Sequence, residues 1–317
     1  MRPHVVVARL LLPEGLGPLE DRYEVRSGGL DADREALLEL APGAAALVAD
    51  ASVPVDEQLL EACGAGLRVV ANFAVGYDNV DLEACAERGI VVTNTPGALT
   101  EATAELALAL ALWAGRLASD AERDLRAGRW EGWNPAGYLG REIRDALVGV
   151  VGLGRIGTRF AEMAHGLGAR IAYCSPSPKP EVEQALVAER MSLDELCEAA
   201  DYLSVHAPGG PHTRGLIGER QMELLGTRGT LVNTSRGSLV DADALAAVLG
   251  DGRLGAAGLD VYEDEPSVPA PLLEAPRCVL LPHIGSATDR SRGAMARLVA
   301  DNVIAVLEGS EPPTRVV

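Results

Sequence analysis

Three glycines, Gly152, Gly154 and Gly157, in the run VGLGRIG constrain the fold of this chain more than any other feature. The run follows the apolar or small residues LVGVV at 147–151 and leads into a segment of helical periodicity at 156–166. Glycines in that context mark a strand, a tight turn and the opening turn of a helix. The first glycine permits the turn, the second lets a ligand approach the backbone, and the third lets helix and strand pack closely. Free N–H groups and the dipole at the start of such a helix favour an anion, so the turn reads as a bed for the pyrophosphate of a dinucleotide. A glycine-rich turn with no ligand is the plain alternative, and the flanking strand and helix weigh against it.

The rest of the chain repeats the same alternation. Short apolar runs at 5–12, 45–49, 67–71 and 90–93 alternate with helical stretches at 34–40, 56–63 and 82–88, a pattern that predicts a parallel sheet covered by helices. The stretch 98–128 follows, apolar nearly all round in its first half, which predicts a helix buried between domains or subunits. Trp113 within it reads as core or as a subunit contact rather than as substrate pocket. Glycine, proline and aromatic residues at 130–146 interrupt the pattern, and a second alternation then predicts strands at 147–151, 170–174, 202–205, 230–233, 256–260 and 278–281. Ser192 and Glu195 stand at capping-box spacing ahead of the 202–205 strand. A last amphipathic helix is predicted at 288–307, with a tail that folds back onto the first domain. A chain of 317 residues is long for one core, so the expected fold class is α/β with two doubly wound parallel-sheet domains.

Composition narrows the partners. A net charge of −18 leaves little basic surface for a phosphate backbone, so no nucleic acid is expected. No apolar run reaches the roughly 20 residues of a spanning helix, so no membrane is expected. The N-terminal apolar stretch is short, β-branched and without a small-residue cleavage site, and reads as a first strand rather than a signal. Five cysteines, an odd number scattered without metal-ligand spacing, point to a reduced, cytoplasmic protein with no metal site.

Downstream of the glycine run stand Arg236 in NTSRG, Glu265 in LDVYEDEP and His283 in LPHIGSAT. Reduction of a 2-keto acid needs hydride at the carbonyl carbon and a proton at the oxygen, and these three side chains suit it. A histidine donates the proton near neutral pH, and a carboxylate beside it orients the ring and favours its protonated form. An arginine offers a planar fork for the substrate's carboxylate and polarises the ketone. Each has a bland reading alone: a surface ion pair, one acid in an acidic loop, a histidine ending a strand. Where NAD-specific folds place an acid at the end of the second strand, this chain has Tyr173-Cys174-Ser175 and then Ser177 and Lys179. Hydroxyls and a lysine without a carboxylate favour NADP(H), with NAD(H) as the alternative and a solvated Lys179 the plain reading.

Six ordered segments, VANFAVGYDNVDLEAC, VTNTPGALTEATAELAL, VGVVGLGRIG, LVNTSRGSLVDADAL, GAAGLDVYEDEP and LPHIGSAT, resemble the D-isomer-specific 2-hydroxyacid dehydrogenase family, most of all its glyoxylate/hydroxypyruvate reductase branch. The resemblance runs from about residue 68 to the C-terminus. It implies a Rossmann-type dinucleotide-binding domain over 98–285 and a flavodoxin-like substrate domain formed discontinuously by 1–97 and 286–317, with the active site between them. It implies that Arg236, Glu265 and His283 are catalytic, and that Asn72, Val75 and Gly76, with Arg236 and His283, bind the substrate. The implied cofactor groove adds Leu153, Arg155 and Ile156 of the glycine run, Thr103 near the pyrophosphate, His206, Ala207, Pro208, Thr213, Thr234 and Ser235, then Asp260 against the nicotinamide carboxamide and Gly285. The expected activity is NAD(P)H-dependent reduction of glyoxylate or hydroxypyruvate to the D-2-hydroxy acid by a homodimer. The alternatives are a family dehydrogenase for another acid (2-ketogluconate, phosphoglycerate, phosphite or formate) and a non-catalytic dinucleotide-sensing protein. Two departures stand out. Glycines replace the usual pair after Pro208, which bears on cofactor affinity, and Gly137 stands where some members carry a bulky aromatic, which implies a looser size preference.

Overall fold

The computed structural model describes residues 2–317; Met1, which opens the first expected domain, lies outside the described residues. The chain divides into two compact units, residues 1–99 with 286–317 and residues 100–285.

The first unit holds a five-stranded parallel sheet of β1 (His4–Val7), β2 (Glu24–Ser27), β3 (Ala44–Asp50), β4 (Val69–Phe73) and β5 (Val91–Thr93), in the order β2-β1-β3-β4-β5. Its strands other than β2 are apolar runs because both faces are buried. Val6, Leu47, Val70 and Val92 pack with Leu37, Leu59 and Leu60, which lie on α2 (Arg34–Leu40) and α3 (Glu57–Cys63). On the other face Val5, Val7, Val48 and Val69 meet Ala296, Val299 and Val303 of the last helix, Asp289–Leu307. The side chains of Asp33, Asp56 and Asp81 cap α2, α3 and α4 (Leu82–Glu87) by accepting from Ala36, Leu59 and Ala84 amides, each cap worth about 1 kcal/mol. The C-terminal tail lies along β5, where the Val316 amide donates to the Val92 carbonyl at 2.7 Å.

Two elements here depart from the sequence reading. The first strand ends at Val7 rather than at 12, and α1 (Pro13–Glu20) follows on the unhelical sequence PEGLGPLE. Packing explains α1: a Cβ on Gly15 would lie 2.3 Å from the Ala296 carbonyl oxygen, so the glycine permits close approach to the last helix. β2 is an edge strand, EVRS, almost wholly exposed and so without an apolar run.

The second unit carries seven parallel strands: β6 (Leu147–Val151), β7 (Arg170–Cys174), β8 (Glu189–Arg190), β9 (Tyr202–Val205), β10 (Thr230–Asn233), β11 (Ala256–Leu259) and β12 (Cys278–Leu280). Their order, β12-β11-β10-β9-β6-β7-β8, reverses direction between β6 and β9. That is the switch point at which doubly wound sheets bind ligands, and the glycine run leaves the end of β6 there. Both units are therefore doubly wound α/β folds, the first of flavodoxin-like and the second of Rossmann order.

The stretch 98–128 is two helices, α5 (Thr100–Gly115) and α6 (Ala118–Arg126), broken at Leu117 with φ +53°. Ala104, Ala107, Leu110 and Ala111 of α5 are buried with residues of β6, β10 and β11 in the core of the same unit. Gly258 admits the helix to the sheet, since a Cβ there would lie 3.1 Å from Leu110 Cβ. The apolar character of α5 is thus met by its own sheet, contrary to the expectation that it needs a second domain or subunit. Trp113 is not core; it is 50% exposed. The predicted cap at Ser192 forms, with its hydroxyl and the Glu195 carboxylate bonded reciprocally at the start of α9 (Leu193–Ala199).

Candidate active site

The turn after β6 is shaped for a ligand at one glycine and for the protein at the other two. Gly152 has φ +94° and its Cβ would lie 2.6 Å from the Ala207 amide, while a Cβ on Gly157 would lie 2.2 Å from the Gly152 carbonyl oxygen. A Cβ on Gly154 would meet nothing within 4 Å. Gly154 is also the N-cap of α7 (Arg155–Gly166) and supplies no side-chain acceptor, so the N–H groups of the first turn point to a place suited to an anion. Thr234 Oγ1, buried and without a partner among the described residues, adds a polar atom near the end of β10. These residues fit a dinucleotide.

The surrounding loops are tied together by the residues expected to line that groove. Ser235 Oγ donates to the Ala207 carbonyl at 2.6 Å, and Thr213 Oγ1 donates to the Pro208 carbonyl at 2.8 Å. His206 packs on Phe160 with ring centres 5.1 Å apart and shares a 2.8 Å hydrogen bond with Ser204 Oγ. Burial pushes its ring down to about 3, so it is neutral. Thr103 is buried and donates to the Gly285 carbonyl at 3.2 Å. Ser175 Oγ accepts from the Leu153 amide at 2.8 Å, joining the glycine turn to the loop after β7. Arg155 and Ser177 are exposed, and Ile156 and Lys179 are half-buried.

Arg236, Glu265 and His283 come from the ends of three neighbouring strands, β10, β11 and β12. His283 Nδ1 lies 2.7 Å from Glu265 Oε2, and the other carboxylate oxygen, Oε1, accepts from the Tyr262 amide at 2.9 Å. Burial pushes the Glu265 carboxyl up, but the bonds from His283 and Tyr262 and the charge of Arg236 outweigh it and hold it below the usual carboxylate range. An ionised Glu265 accepts only, so Nδ1 carries the proton in that bond and Nε2 is left for another partner. His283 itself sits at φ +54°, a left-handed conformation that a non-glycine residue adopts only where its surroundings enforce it. Asp260 enforces it: its two oxygens accept from the amides of Ile284 and Gly285, each at 2.7 Å. Burial raises the Asp260 carboxyl, against the pull of those two amides and of His283.

Arg236 is set by a turn that Asn233 holds from inside. The buried Asn233 amide donates to the Arg236 carbonyl at 2.8 Å and its oxygen accepts from the Ser235 amide at 3.0 Å. Next in the chain, a Cβ on Gly237 would lie 1.9 Å from the Tyr262 carbonyl carbon. Only glycine lets the Arg236 turn run against the segment that carries Glu265. Gly237→Ala is expected to cost about 1–3 kcal/mol of stability by overpacking and to lower kcat/KM; a variant that melts and turns over like the parent would contradict this role.

Tyr262, Asn233 and Gly237 escaped the sequence reading, although all three lie inside quoted motifs. Tyr262 is the most telling, since its hydroxyl donates to the Leu281 carbonyl at 3.0 Å. One residue thus ties the segment of Glu265 to that of His283, a link invisible without the fold. The Asn72 side chain is fully buried and donates to the Gly76 carbonyl at 2.8 Å and to Asn79, so it braces the loop from inside. The loop it braces includes Val75 and Gly76, and Asn94 holds the Val75 carbonyl at 2.7 Å.

A cavity of about 570 Å³ opens behind the Arg236 turn, lined by Gly237, Ser238, Tyr262, Asp264 and Pro269 among others, and none of the three catalytic candidates faces it. Arg214 and Glu263 line it too, but no histidine does. Among the described residues no group of three or more His, Cys, Asp or Glu is placed to hold a metal ion. All five cysteines are free, and burial pushes the Cys197 and Cys278 thiols up to about 12.

Known proteins match the chain over its whole length. Residues 108–285 match the family model of the D-isomer specific 2-hydroxyacid dehydrogenase, NAD binding domain. A glyoxylate reductase of Thermococcus litoralis is 41% identical over 100% of this chain and 97% of its own length, and one of Aeropyrum pernix is 43% identical over 99% and 96%. The crystal structure of an NADPH-dependent glyoxylate/hydroxypyruvate reductase from Sinorhizobium meliloti, in complex with NADP and malonate, superposes with a TM-score of 0.88 at 37% identity, covering 100% of this chain and 97% of that one. With a Rossmann sheet, a glycine turn at its switch point and these likenesses over its full length, the chain belongs to the D-isomer-specific 2-hydroxyacid dehydrogenase family, in its glyoxylate reductase branch, and is an NAD(P)-dependent dehydrogenase.

Proposed function

We propose that the protein reduces glyoxylate or hydroxypyruvate to the D-2-hydroxy acid, with Arg236, Glu265 and His283 as its catalytic residues and NADP(H) as its preferred cofactor. The observation that carries this reading is the 2.7 Å contact of His283 Nδ1 with a carboxylate held ionised. A bound reduced nicotinamide supplies the hydride. His283 Nε2 delivers a proton to the carbonyl oxygen as it gains negative charge, and Glu265 steadies the ring and the positive charge it carries. Arg236 binds the substrate's carboxylate and polarises its ketone with one rigid fork of donors. The Val75 and Gly76 amides take no partner among the described residues and are proposed as donors to an anion. Asn72 braces them.

Segment 72–78 contains no lysine or arginine, which supports a small, unphosphorylated acid over a phosphorylated one. The relatives named for glyoxylate reduction support the same choice. For the cofactor, the loop after β7 carries Ser175, Ser177 and Lys179 and no acid before Glu181. The test is oxidation of NADPH and of NADH by the purified protein with glyoxylate, hydroxypyruvate, pyruvate and 2-ketogluconate. Fast turnover of the first two with NADPH is expected; turnover confined to 2-ketogluconate would overturn the substrate, and a preference for NADH would overturn the cofactor.

We also propose a homodimer, working in the cytoplasm, where unpaired cysteines stay reduced. Its support is no longer the apolar character of α5. All three tryptophans of the chain are exposed, Trp113 by 50%, Trp130 by 58% and Trp133 by 85%, with Leu125 and Leu139 beside them in sequence at 58% and 72%. So much apolar surface in one short stretch supports an association site there. Trp133→Glu is expected to shift the mass in light scattering from two chains to one, and a parent already monomeric at micromolar concentration would contradict the dimer.

A further inference from the structure

The loop after β7 contains no arginine, yet the fold brings one to it. β8 forms the edge of the second sheet beside β7, with Arg190 in register with Tyr173. From there the guanidinium reaches over the loop. Arg190 Nε and Nη2 donate to the Ser175 carbonyl at 3.3 and 3.1 Å, and Nη2 also donates to the Pro176 carbonyl at 2.9 Å. These residues begin the loop in which NAD-specific Rossmann folds place the acid that holds the ribose 2′-hydroxyl. Here a cation is held at that place.

We infer that Arg190 is the residue by which this chain discriminates NADP(H) from NAD(H), its guanidinium binding the 2′-phosphate; the inference rests on the NADP(H) reading above. Three observations carry it. Arg190 makes no ion pair among the described residues, in a protein with 46 acidic residues against 28 basic ones. Its two carbonyl partners orient the fork without neutralising it, and Nη1 takes no partner among the described residues. The loop is also fixed in advance. Ser175 Oγ ties it to the Leu153 amide of the glycine turn at 2.8 Å, and the Tyr173 hydroxyl accepts from the Lys179 amide at 2.8 Å. A planar, permanently charged fork on a pinned loop suits a phosphate dianion, and Lys179 at the far end of the loop adds a second charge.

Binding without turnover tests this. Calorimetry on the purified protein would compare 2′,5′-ADP with 5′-AMP, and NADPH with NADH, in the parent, Arg190→Gln and Arg190→Lys, with thermal unfolding to check that each variant is folded. Arg190→Gln is expected to weaken 2′,5′-ADP and NADPH by about tenfold or more, the loss of one charge-assisted contact, and to leave 5′-AMP and NADH within about twofold. Arg190→Lys, with the charge but not the fork, should keep part of the preference. Equal weakening of all four ligands in either variant would mean that Arg190 only shapes the loop and would overturn the inference. No change in any of them would do the same. A parent that binds 5′-AMP as tightly as 2′,5′-ADP would overturn the NADP(H) reading itself, and the role of Arg190 with it.

Discussion

Replacement of His283 by asparagine is expected to lower kcat for glyoxylate reduction by about 100- to 10,000-fold, the usual worth of a positioned general acid. Asparagine keeps a polar side chain of similar reach but donates no proton. The reduced cofactor should still bind within about twofold of the parent, because the glycine turn, Thr234 and the Ser175 loop do not depend on the imidazole. The φ of +54° at 283 favours this substitution over most others, since asparagine tolerates left-handed backbone. Stopped-flow absorbance under single-turnover conditions separates the two effects. Weak binding with normal hydride transfer would move His283 from proton donor to cofactor contact.

Replacement of Arg236 by lysine is expected to lower kcat by about 100-fold or more and to raise the KM for glyoxylate as well. The reason is geometric. The Asn233 bonds and the close packing at Gly237 fix the backbone from which the guanidinium projects. From that fixed turn a lysine presents a point charge where two directed donors are needed, one for the carboxylate and one for the developing alkoxide. Steady-state kinetics with saturating cofactor reads both parameters. A rise in KM with kcat unchanged would make Arg236 a binding residue alone.

How much of this was legible in the sequence follows from where each interaction is made. Local signals were reliable: the glycine run and the capping box of Ser192 each act within a few residues, and each marks a boundary. The buried parallel strands were visible as apolar runs. Edge strands were not, because β2 and β8 are mostly exposed and β8 is only two residues long. α1 was hidden because PEGLGPLE is helical only by virtue of packing on the last helix. The stretch 98–128 looked like a helix in search of a partner because the sheet that covers α5 comes from strands that lie later in the chain.

The catalytic trio shows the same division. Each proposed member stands in a recognisable motif, and the chemistry of the three types pointed to keto-acid reduction. Their support was not readable. Asp260 fixing the backbone after His283 and Tyr262 spanning to Leu281 are contacts between strand ends that only the sheet order brings together, while Asn233 holds the Arg236 turn through a side-chain bond that the motif does not spell out. Arg190 is a further case, 15 residues along the chain from Ser175 yet bonded to it.

The pairing of Glu265 with His283 is the centre of the proposed mechanism, and a double-mutant cycle measures it directly. kcat for glyoxylate reduction would be determined for the parent, Glu265→Gln, His283→Asn and the double variant. If Glu265 acts through His283, the second substitution has little left to remove, and the double variant should be about as slow as His283→Asn alone. Losses that multiply independently would show that the two residues do not work as a pair, and would contradict the mechanism.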